Sequence, residues 1–309
     1  MYKQSRALFF QVLTSMHAGE GSQLGVVDLP IQREGHTGFP KVEASSLKGS
    51  LRRAVEQRAS DVDVHRFFGP VGQPELYASA LSFSDVRLLF FPVRSVKGVF
   101  AWVTCPMVIK RFLDDMRLVQ IEISEELSLD TLPVITENSG LEAEDRVMLE
   151  EYVFTVEKEK KGELTAFLKR LLQMLPASDL VKQHLISHAI VVSDDDFSDF
   201  VRLSTEIVTR IKINKETGTV EGTALFNEEY LPSESLMYSL VFISDEHQAP
   251  SKSADPTPAV REKAEDIANT IENWIPATFQ IGANLTLGKG FVAVKLVSGG
   301  ALHAQTNGQ

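Results

Sequence analysis

The 309-residue chain has only one cysteine, Cys105, and two tryptophans. A lone cysteine excludes a disulfide within the chain and a zinc site built from several thiolates, and it is typical of a reducing compartment. No apolar run approaches the roughly 18 residues of a membrane-spanning helix. The first residues also lack the apolar segment of a secretory signal. We therefore expect a cytoplasmic protein that does not enter a membrane.

The charge is unevenly distributed along the chain, whose formal net charge is −11. Residues 114–163 hold 15 Asp and Glu against 5 Lys and Arg, which is nearly the whole imbalance. Residues 31–60 hold six basic and three acidic residues. Because salt screens charges beyond about 8–10 Å, a local basic face can still bind phosphate. The composition excludes a uniformly basic coat but not RNA binding, and we expect the acidic stretch to face solvent or another subunit.

Alternation and helical spacing predict the order strand, helix, strand, strand, helix, strand, with large insertions. The predicted strands lie within 6–19, 80–93, 98–108, 236–245 and 279–297, and the predicted helices at 43–59, 107–119, 162–175 and 260–275. This order is typical of an α+β fold of the ferredoxin-like or RRM type. An RRM-type sheet with one basic helix face is a plausible RNA platform.

Residues 205–232 are predicted to form a β-hairpin. They alternate between apolar and polar side chains and carry a turn signal at 216–218. Alternation gives the hairpin one basic and one apolar face. The basic positions are Arg210 and Lys212, and the apolar ones are Ile211 and Ile213.

The predicted helix at 43–59 is a candidate phosphate site. Ser45 or Ser46 is expected to be its N-cap, and Lys48 and Arg52 lie on its polar face. Hydroxyls, free main-chain N–H groups and a cation at a helix start suit an RNA phosphate. The alternative is ordinary capping with a solvated helix face.

A Gly-rich segment near the end of the chain is a second candidate. Gly282, Gly288 and Gly290 let main-chain N–H groups approach phosphates closely, and Lys289 adds charge. The alternative is a pair of turns that joins two strands. The segment precedes a strand, and the chain has no G-x-x-x-x-G-K-[ST] motif, which disfavours an enzyme that binds a small nucleotide.

Four sequence stretches together resemble the RAMP superfamily of CRISPR proteins, and more narrowly the backbone subunits of type III-B (Cmr) complexes. They are SSLKGSLR at 45–52, VVDLPIQRE at 26–34 with His17 upstream, IG with LGKGF at 281–291, and EEYLP at 228–232. The likeness covers both ends of the chain and the hairpin. The acidic middle is matched only by position.

The resemblance implies a subunit that polymerises with copies of itself along a CRISPR RNA, together with other Cmr subunits. A protruding hairpin thumb displaces a base pair of the guide–target duplex at regular intervals. An acidic loop then cuts the target RNA beside the displaced nucleotide. The resemblance also implies a divalent metal, Mg²⁺ or another ion such as Mn²⁺.

By the same resemblance, the catalytic residues are Asp28, His17, Glu228 and Tyr230. Asp28 lies in the long polar connection 18–40, and a carboxylate there can orient or deprotonate a ribose 2′-OH or hold the metal. From the residues alone, Asp28 also suits a turn cap and His17 a structural role. Adjacent Glu229 leaves open which glutamate supports cleavage.

The resemblance divides the chain into four parts. Residues 1–118 form the first part of the core with a catalytic loop at 17–40, and 119–200 an acidic helical insertion. Residues 201–235 form the thumb, and 236–309 complete the core with the Gly-rich loop. Two further functions stay open, a non-catalytic RNA scaffold and a precursor CRISPR RNA nuclease that uses His17 without metal.

Two weaker candidates are expected to carry no metal. His184 and His188 have the i, i+4 spacing of ligands on a helix, but no acidic motif accompanies them. The acidic residues at 194–199 are expected to be a solvated loop.

Overall fold

The computed structural model describes residues 2–22, 25–71, 77–123, 127–156, 161–247 and 262–299. Its strands are β1 (Gln4–Val12), β2 (Lys41–Val42), β3 (Leu81–Phe83), β4 (Val86–Arg94), β5 (Phe100–Thr104), β6 (Val134–Ile135), β7 (Arg146–Leu149), β8 (Tyr152–Thr155), β9 (Ala189–Val191), β10 (Glu206–Ile213), β11 (Val220–Tyr230), β12 (Leu236–Ile243), β13 (Thr278–Gln280) and β14 (Phe291–Val297). Its helices are α1 (Ala44–Glu56), α2 (Asp61–Phe68), α3 (Pro106–Leu118), α4 (Lys161–Leu171), α5 (Asp179–His188), α6 (Asp194–Leu203) and α7 (Ala264–Trp274), with a 3₁₀ turn at Leu285–Leu287.

Four antiparallel strands form the core in the order β14-β1-β12-β4. Helix α1 lies between β1 and β4 in the chain, and α7 lies between β12 and β14. These connections are those of the β-α-β-β-α-β ferredoxin-like fold, so the predicted fold class is confirmed. The second and third core strands, β4 and β12, are separated by residues 95–235, which hold the insertion and the hairpin.

Both faces of the core sheet are covered. Phe9 and Tyr238 are cross-strand partners on β1 and β12, and the rings of both contact Phe112 of α3. Phe10, which points to the opposite face because strand side chains alternate, is 1% exposed. Bases therefore cannot stack on the faces of the core sheet, because helices pack there; RNA binding at the basic helix face stays a prediction.

The inserted segment continues the main sheet. Strand β9 pairs in parallel with β5, and β6 pairs with β9. The insertion is thus not purely helical, since β7 and β8 add a hairpin of their own. The expected solvated loop at 194–199 is instead the start of α6, where Ser193 is the N-cap and Asp194 accepts a hydrogen bond from the main-chain N–H of Met107.

The predicted hairpin is confirmed. Strands β10 and β11 form a two-stranded sheet apart from the main sheet. At its turn, the side-chain oxygen of Asn214 accepts hydrogen bonds from the N–H groups of Glu216 and Thr217. Gly218 then adopts a φ of +66°, which residues other than glycine rarely adopt. We call β10, β11 and this turn the thumb.

Candidate active site and nucleic-acid interface

The long connection after β1 is fixed along the edge of β11 that β10 leaves free. The N–H of Leu29 donates to the carbonyl of Asn227, and the N–H of Glu229 donates to the carbonyl of Leu29, both at 3.0 Å. Met16 and Leu231 form a further bridge nearby. A segment that reads as an unstructured loop therefore acts as a short third strand at the base of the thumb.

Asp28 lies at this junction and is exposed to solvent. Its Oδ2 accepts a hydrogen bond of 2.8 Å from the main-chain N–H of Asn227. That bond fixes the carboxylate beside Glu228, the next residue of β11. The carboxylate of Asp28 is therefore held in place while it remains open to a ligand.

Glu228 and Tyr230 form a hydrogen-bonded cluster with two other side chains. The Tyr230 hydroxyl donates to Glu228 Oε2 at 2.6 Å, and Arg210 Nε donates to the same oxygen at 2.8 Å. Asn284 Nδ2 lies 2.8 Å from the Tyr230 hydroxyl and 3.3 Å from both carboxylate oxygens of Glu228. We call these four residues the thumb-base cluster.

The cluster fixes the protonation of its two central members. Burial favours the neutral carboxyl of Glu228, but hydrogen bonds from Tyr230, Arg210 and Asn284 outweigh it and lower its pKa. Burial and the neighbouring carboxylate raise the pKa of Tyr230. At neutral pH, Glu228 is therefore an anion and Tyr230 keeps its hydroxyl proton.

His17 packs beside the cluster and is almost enclosed. Its ring centre lies 5.6 Å from that of Tyr230, its Nδ1 is 2.7 Å from the carbonyl of Glu229, and only 6% of the residue is exposed. Its Nε2 faces Gly19 so closely that a Cβ there would lie 2.6 Å away. Because both ring nitrogens face main chain, His17 is placed to support Tyr230 and poorly placed to reach RNA itself.

The adjacent glutamates point to opposite sides of β11. Glu229 is 5% exposed and pairs with Arg33. It also accepts hydrogen bonds from the N–H of Ile31 and the hydroxyl of Thr205. Glu228 is therefore the glutamate in the cluster, and Glu229 ties the loop that carries Asp28 to the thumb.

The start of α1 differs from the expectation. The helix begins at Ala44, and no side chain of its own caps it; instead the carboxylate of Asp85 accepts a hydrogen bond of 2.9 Å from the N–H of Ala44. Ser45 and Ser46 lie in the first turn. The N-cap prediction is wrong because a carboxylate that is distant in sequence already occupies this end of the helix.

The two cations predicted on α1 are used within the chain. Lys48 Nζ donates to the carbonyl of Leu81, and burial with Arg52 nearby lowers its pKa. Arg52 donates to the carbonyl of Gly69 at 2.7 Å and pairs with Glu56. Both side chains hold α1 against its neighbours, so an RNA phosphate would have to compete with these contacts.

Sequence reasoning did not single out two further arginines: Arg53 on α1, and Arg58 two residues beyond the end of that helix. Arg53 and Arg58 line a cleft of about 300 Å³ between α1, β13 and the Gly-rich loop. Both are exposed, and the described residues include no hydrogen-bond or ion-pair partner for either side chain. Gln57 and Gln280 add polar groups to the cleft wall. Arg53 follows Arg52 in sequence, but successive residues of a helix point in different directions, so Arg53 lines the cleft and Arg52 does not. The position of each residue around the helix axis was the one sequence signal that could have indicated this cleft.

The three glycines of the Gly-rich loop have different roles. A Cβ at Gly282 would lie 2.3 Å from the carbonyl oxygen of His17, and one at Gly290 would lie 2.0 Å from that of Ile281. These two glycines are required for packing within the chain. Gly288 has open space around it and a φ of +72°, so it is the glycine that can accept a close phosphate.

Lys289 and Arg210 point toward the cluster. Lys289 Nζ donates to Ser15 Oγ at 2.6 Å and lies 4.7 Å from the ring centre of Tyr230. Arg210 belongs to the cluster and is held by Glu228 and Tyr230, whereas Lys212 on the same face of the thumb is exposed. Lys212 and Arg210 both line a groove between the thumb and the Gly-rich loop.

The exposed face of the thumb is apolar. Ile211, Ile213 and Leu225 are 54%, 56% and 58% exposed. Ile211 and Leu225 are cross-strand partners, so their side chains adjoin on one face. Such a surface has no partner among the described residues and suits contact with bases.

His184 and His188 do not form a metal site. Their ring centres lie 3.8 Å apart, and His184 packs edge to face on Phe100 and Trp102. His188 faces Gly98 and Gly140, where a Cβ would lie within 2.5 and 2.8 Å of its ring. Within the described part of the chain, no group of three His, Cys, Asp or Glu residues is arranged to hold a metal.

Asp28 fits a metal only as one ligand among several. One of its oxygens is used by Asn227, and the other has no partner among the described residues. Mg²⁺ is commonly held by one or two carboxylates together with substrate phosphates and water. The residues present thus suit an ion that RNA phosphates also hold, not an ion held by the chain alone.

Comparison with known proteins identifies the family. Residues 9–293 match the RAMP superfamily model. The CRISPR system Cmr endoribonuclease Cmr4 of Pyrococcus furiosus is 37% identical over 300 residues, which cover 95% of this chain and 97% of that protein. A crystal structure of oligomeric Cmr4 from P. furiosus matches with a TM-score of 0.71 at 32% identity, over 95% of this chain and 98% of that one. In a cryo-EM structure of type III-B Cmr-beta bound to cognate target RNA, a chain 21% identical shares the fold, with a TM-score of 0.72 over 96% of this chain and 98% of that one. This chain belongs to the RAMP superfamily.

Proposed function

We propose that this chain is the backbone subunit of a type III-B CRISPR effector complex and the endoribonuclease that cuts target RNA within it. The observation that carries this proposal is the position of Asp28, an exposed carboxylate fixed at the base of the thumb beside Glu228 and Tyr230. The family match and the 37% identity to a Cmr endoribonuclease support the same activity. Assembly of the complex on one guide, followed by mapping of cuts in a complementary RNA, tests it.

Cleavage proceeds by attack of a ribose 2′-oxygen on the adjacent phosphorus. A new O2′–P bond forms as the P–O5′ bond breaks, which leaves a 2′,3′-cyclic phosphate and a 5′-hydroxyl. Asp28 orients the 2′-OH or accepts its proton, and the departing 5′-oxygen takes up a proton from water or from an acid of the site. Tyr230, protonated and fixed by Glu228, lies on the same thumb base, and Lys289 and Arg210 supply positive charge nearby.

Geometry carries most of this catalysis. A single acid or base contributes about 10²–10⁴-fold, whereas in-line positioning of the reacting atoms contributes more. The target nucleotide therefore has to leave the helical stack so that its 2′-oxygen aligns with phosphorus. The exposed apolar face of the thumb provides a wedge for this step, which implies slow cutting at regular spacing.

The proposed divalent ion is Mg²⁺ or Mn²⁺, with Asp28 as its protein ligand. When bound, such an ion stabilises negative charge on the phosphate oxygens. The free oxygen of Asp28 and the small number of carboxylates that Mg²⁺ needs in phosphate sites support this assignment.

Replacing the apolar thumb face is expected to reduce cleavage more than guide binding. In the variant Ile211→Thr/Ile213→Thr/Leu225→Thr, threonine retains strand propensity but cannot insert an apolar wedge. We expect at least a tenfold slower cut with guide affinity within about twofold, because displacement fails while the backbone contacts remain. Cut mapping and guide binding are measured on the same complex.

Val153→Thr is the matched control, since this strand residue is 58% exposed but lies on β8 of the insertion. Val153→Thr should leave the cleavage rate and the guide affinity unchanged. Unchanged rates and cut positions in the triple variant would show that the thumb is not the wedge.

The affinity of the protein for guide RNA is expected to depend on Arg53 and Arg58, the two arginines of the cleft. In Arg53→Ala/Arg58→Ala, loss of two phosphate contacts should weaken guide binding about tenfold or more and lower the salt slope of log affinity by roughly 1.4, or 0.7 per contact for single strands. The measurement is a filter-binding titration at several salt concentrations. Arg146→Ala removes an exposed arginine from β7 and serves as control.

An unchanged salt slope in the double variant would place the guide elsewhere. The other predicted RNA contacts stay predictions: Ser45, Ser46, Lys48, Arg52, Gly282, Gly288, Lys289, Gly290, Arg210 and Lys212.

The proposed partners are CRISPR RNA, target RNA, copies of this chain in a filament and other Cmr subunits, in the cytoplasm. None of the helices within the described ranges is both long and apolar enough to cross a membrane. If the assembled complex binds guide and target but cuts nothing, the chain is a scaffold and the nuclease assignment fails.

A further inference from the structure

We propose that Asn284 is a positioning residue for target cleavage, which couples the Gly-rich loop to Tyr230 and Glu228. This inference deepens the proposed function and depends on it. Asn284 is the member of the thumb-base cluster that comes from outside the thumb. Its side chain joins two segments that are 54 residues or more apart in sequence.

The side chain of Asn284 contacts the Tyr230 hydroxyl and the Glu228 carboxylate. Nδ2 lies 2.8 Å from the Tyr230 hydroxyl and 3.3 Å from each carboxylate oxygen of Glu228. The Tyr230 hydroxyl donates its proton to Glu228, and its oxygen accepts from Arg210 Nη2 at 2.7 Å and from Asn284. The amide thus contacts both the hydroxyl and the carboxylate that accepts its proton, and it joins them to the Gly-rich loop.

The main chain at Asn284 is fixed by the loop. Its φ and ψ are +63° and +32°, a left-handed conformation that asparagine tolerates better than most residues. Its carbonyl accepts hydrogen bonds from the N–H groups of Leu287 and Lys289. One residue earlier, the N–H of Ala283 donates to the carbonyl of His17 at 2.9 Å. Movement of the loop is therefore transmitted to both sides of Tyr230.

Arg210 holds the cluster from the thumb, and Asn284 holds it from the body of the protein. Among the described residues, Arg210 and Lys289 are the cations beside Glu228 and Tyr230, and His17 and Asp28 are the other titratable groups near them. With Asn284 removed, Arg210 still pairs with Glu228, but the Tyr230 hydroxyl loses its partner on the body side. We expect the hydroxyl to sample more positions and the reactive geometry to be populated less often.

The test uses Asn284→Gly and Asn284→Asp in the assembled complex with guide RNA. Glycine adopts the same main-chain conformation without strain, and aspartate keeps the size but replaces donor hydrogens with an acceptor facing Glu228. Both should slow target cleavage about tenfold, while guide affinity stays unchanged. In Asn284→Gly the acid limb of the rate profile should move to higher pH, because Glu228 loses a donor that favours its anion.

A double-mutant cycle separates positioning from a general structural role. If Asn284 acts through Tyr230, Asn284→Gly should cost much less in a Tyr230→Phe background than in the wild type. Thr286→Ala is the control: it lies two residues away in the same loop, is exposed, and should leave the rate unchanged.

Three results would overturn the inference while leaving the nuclease assignment intact. They are a wild-type rate in Asn284→Gly, an equal cost of that change in both backgrounds, and an equal loss in Thr286→Ala. If instead the wild-type complex does not cut target RNA at all, the proposed function itself fails.

Discussion

Asp28→Asn is expected to abolish target cleavage while the complex still assembles and binds its guide. The amide keeps the size of the side chain and can still accept a hydrogen bond from the N–H of Asn227, so the loop stays in place. The charge that activates the 2′-OH or binds a metal is lost. We expect a rate at least 10²–10⁴-fold lower, the range for a lost acid–base group. The measurement is single-turnover cleavage of a labelled complementary RNA.

Glu20→Gln is the matched control for this experiment. Glu20 is an exposed carboxylate in the same loop, so its neutralisation reproduces the change in net charge but not the position. Chelation of divalent ions should stop wild-type cleavage as well, if Asp28 acts with a metal. Cutting by Asp28→Asn at the wild-type rate would remove Asp28 from the mechanism.

The sequence predicted the fold class because its signals are local. Leu47, Leu51 and Val55 recur at helical spacing and are buried in α1, and the turn at 216–218 closes the thumb. The positions of Asp28, Glu228 and Tyr230 came from a family resemblance, and the structure brings them together at one junction. Spacing alone could not have done so, since about 200 residues separate Asp28 from β11.

Several predictions that differ from the structure concern charges with distant partners. Asp85 binds the start of α1, and Leu81 and Gly69 provide carbonyls for Lys48 and Arg52. Composition shows that a helix is basic, but it cannot show which cations are already bound. For the same reason, the sequence does not show that Arg210 is bound to Glu228 and Tyr230.

Glu229→Gln is expected to destabilise the protein more than Glu228→Gln. Glu229 is 5% exposed and holds Arg33, Thr205 and the N–H of Ile31. Arg33 is 21% exposed and keeps hydrogen bonds to two main-chain carbonyls, so the loss falls mainly on the contacts that tie the loop to β11. A weakened hydrogen bond to a charged acceptor costs about 1.5–3 kcal/mol. Arg210 is exposed to a similar extent, 28%, but the side-chain partners of Glu228 lie on the thumb and the Gly-rich loop. Glu228→Gln therefore leaves the Asp28 loop in place and should cost about 1 kcal/mol. Urea unfolding of the full chain measures both.

Cleavage should respond differently to these two changes. Glu228→Gln weakens the acceptor for the Tyr230 hydroxyl and should slow cutting in a complex that is otherwise stable. Glu229→Gln loosens the loop that carries Asp28, so its cleavage loss should accompany a lower free energy of unfolding. Equal unfolding energies for the two variants would contradict the division of roles between adjacent residues of β11. Strand alternation requires that division: one carboxylate faces the cluster, and the other fixes the loop on which Asp28 depends.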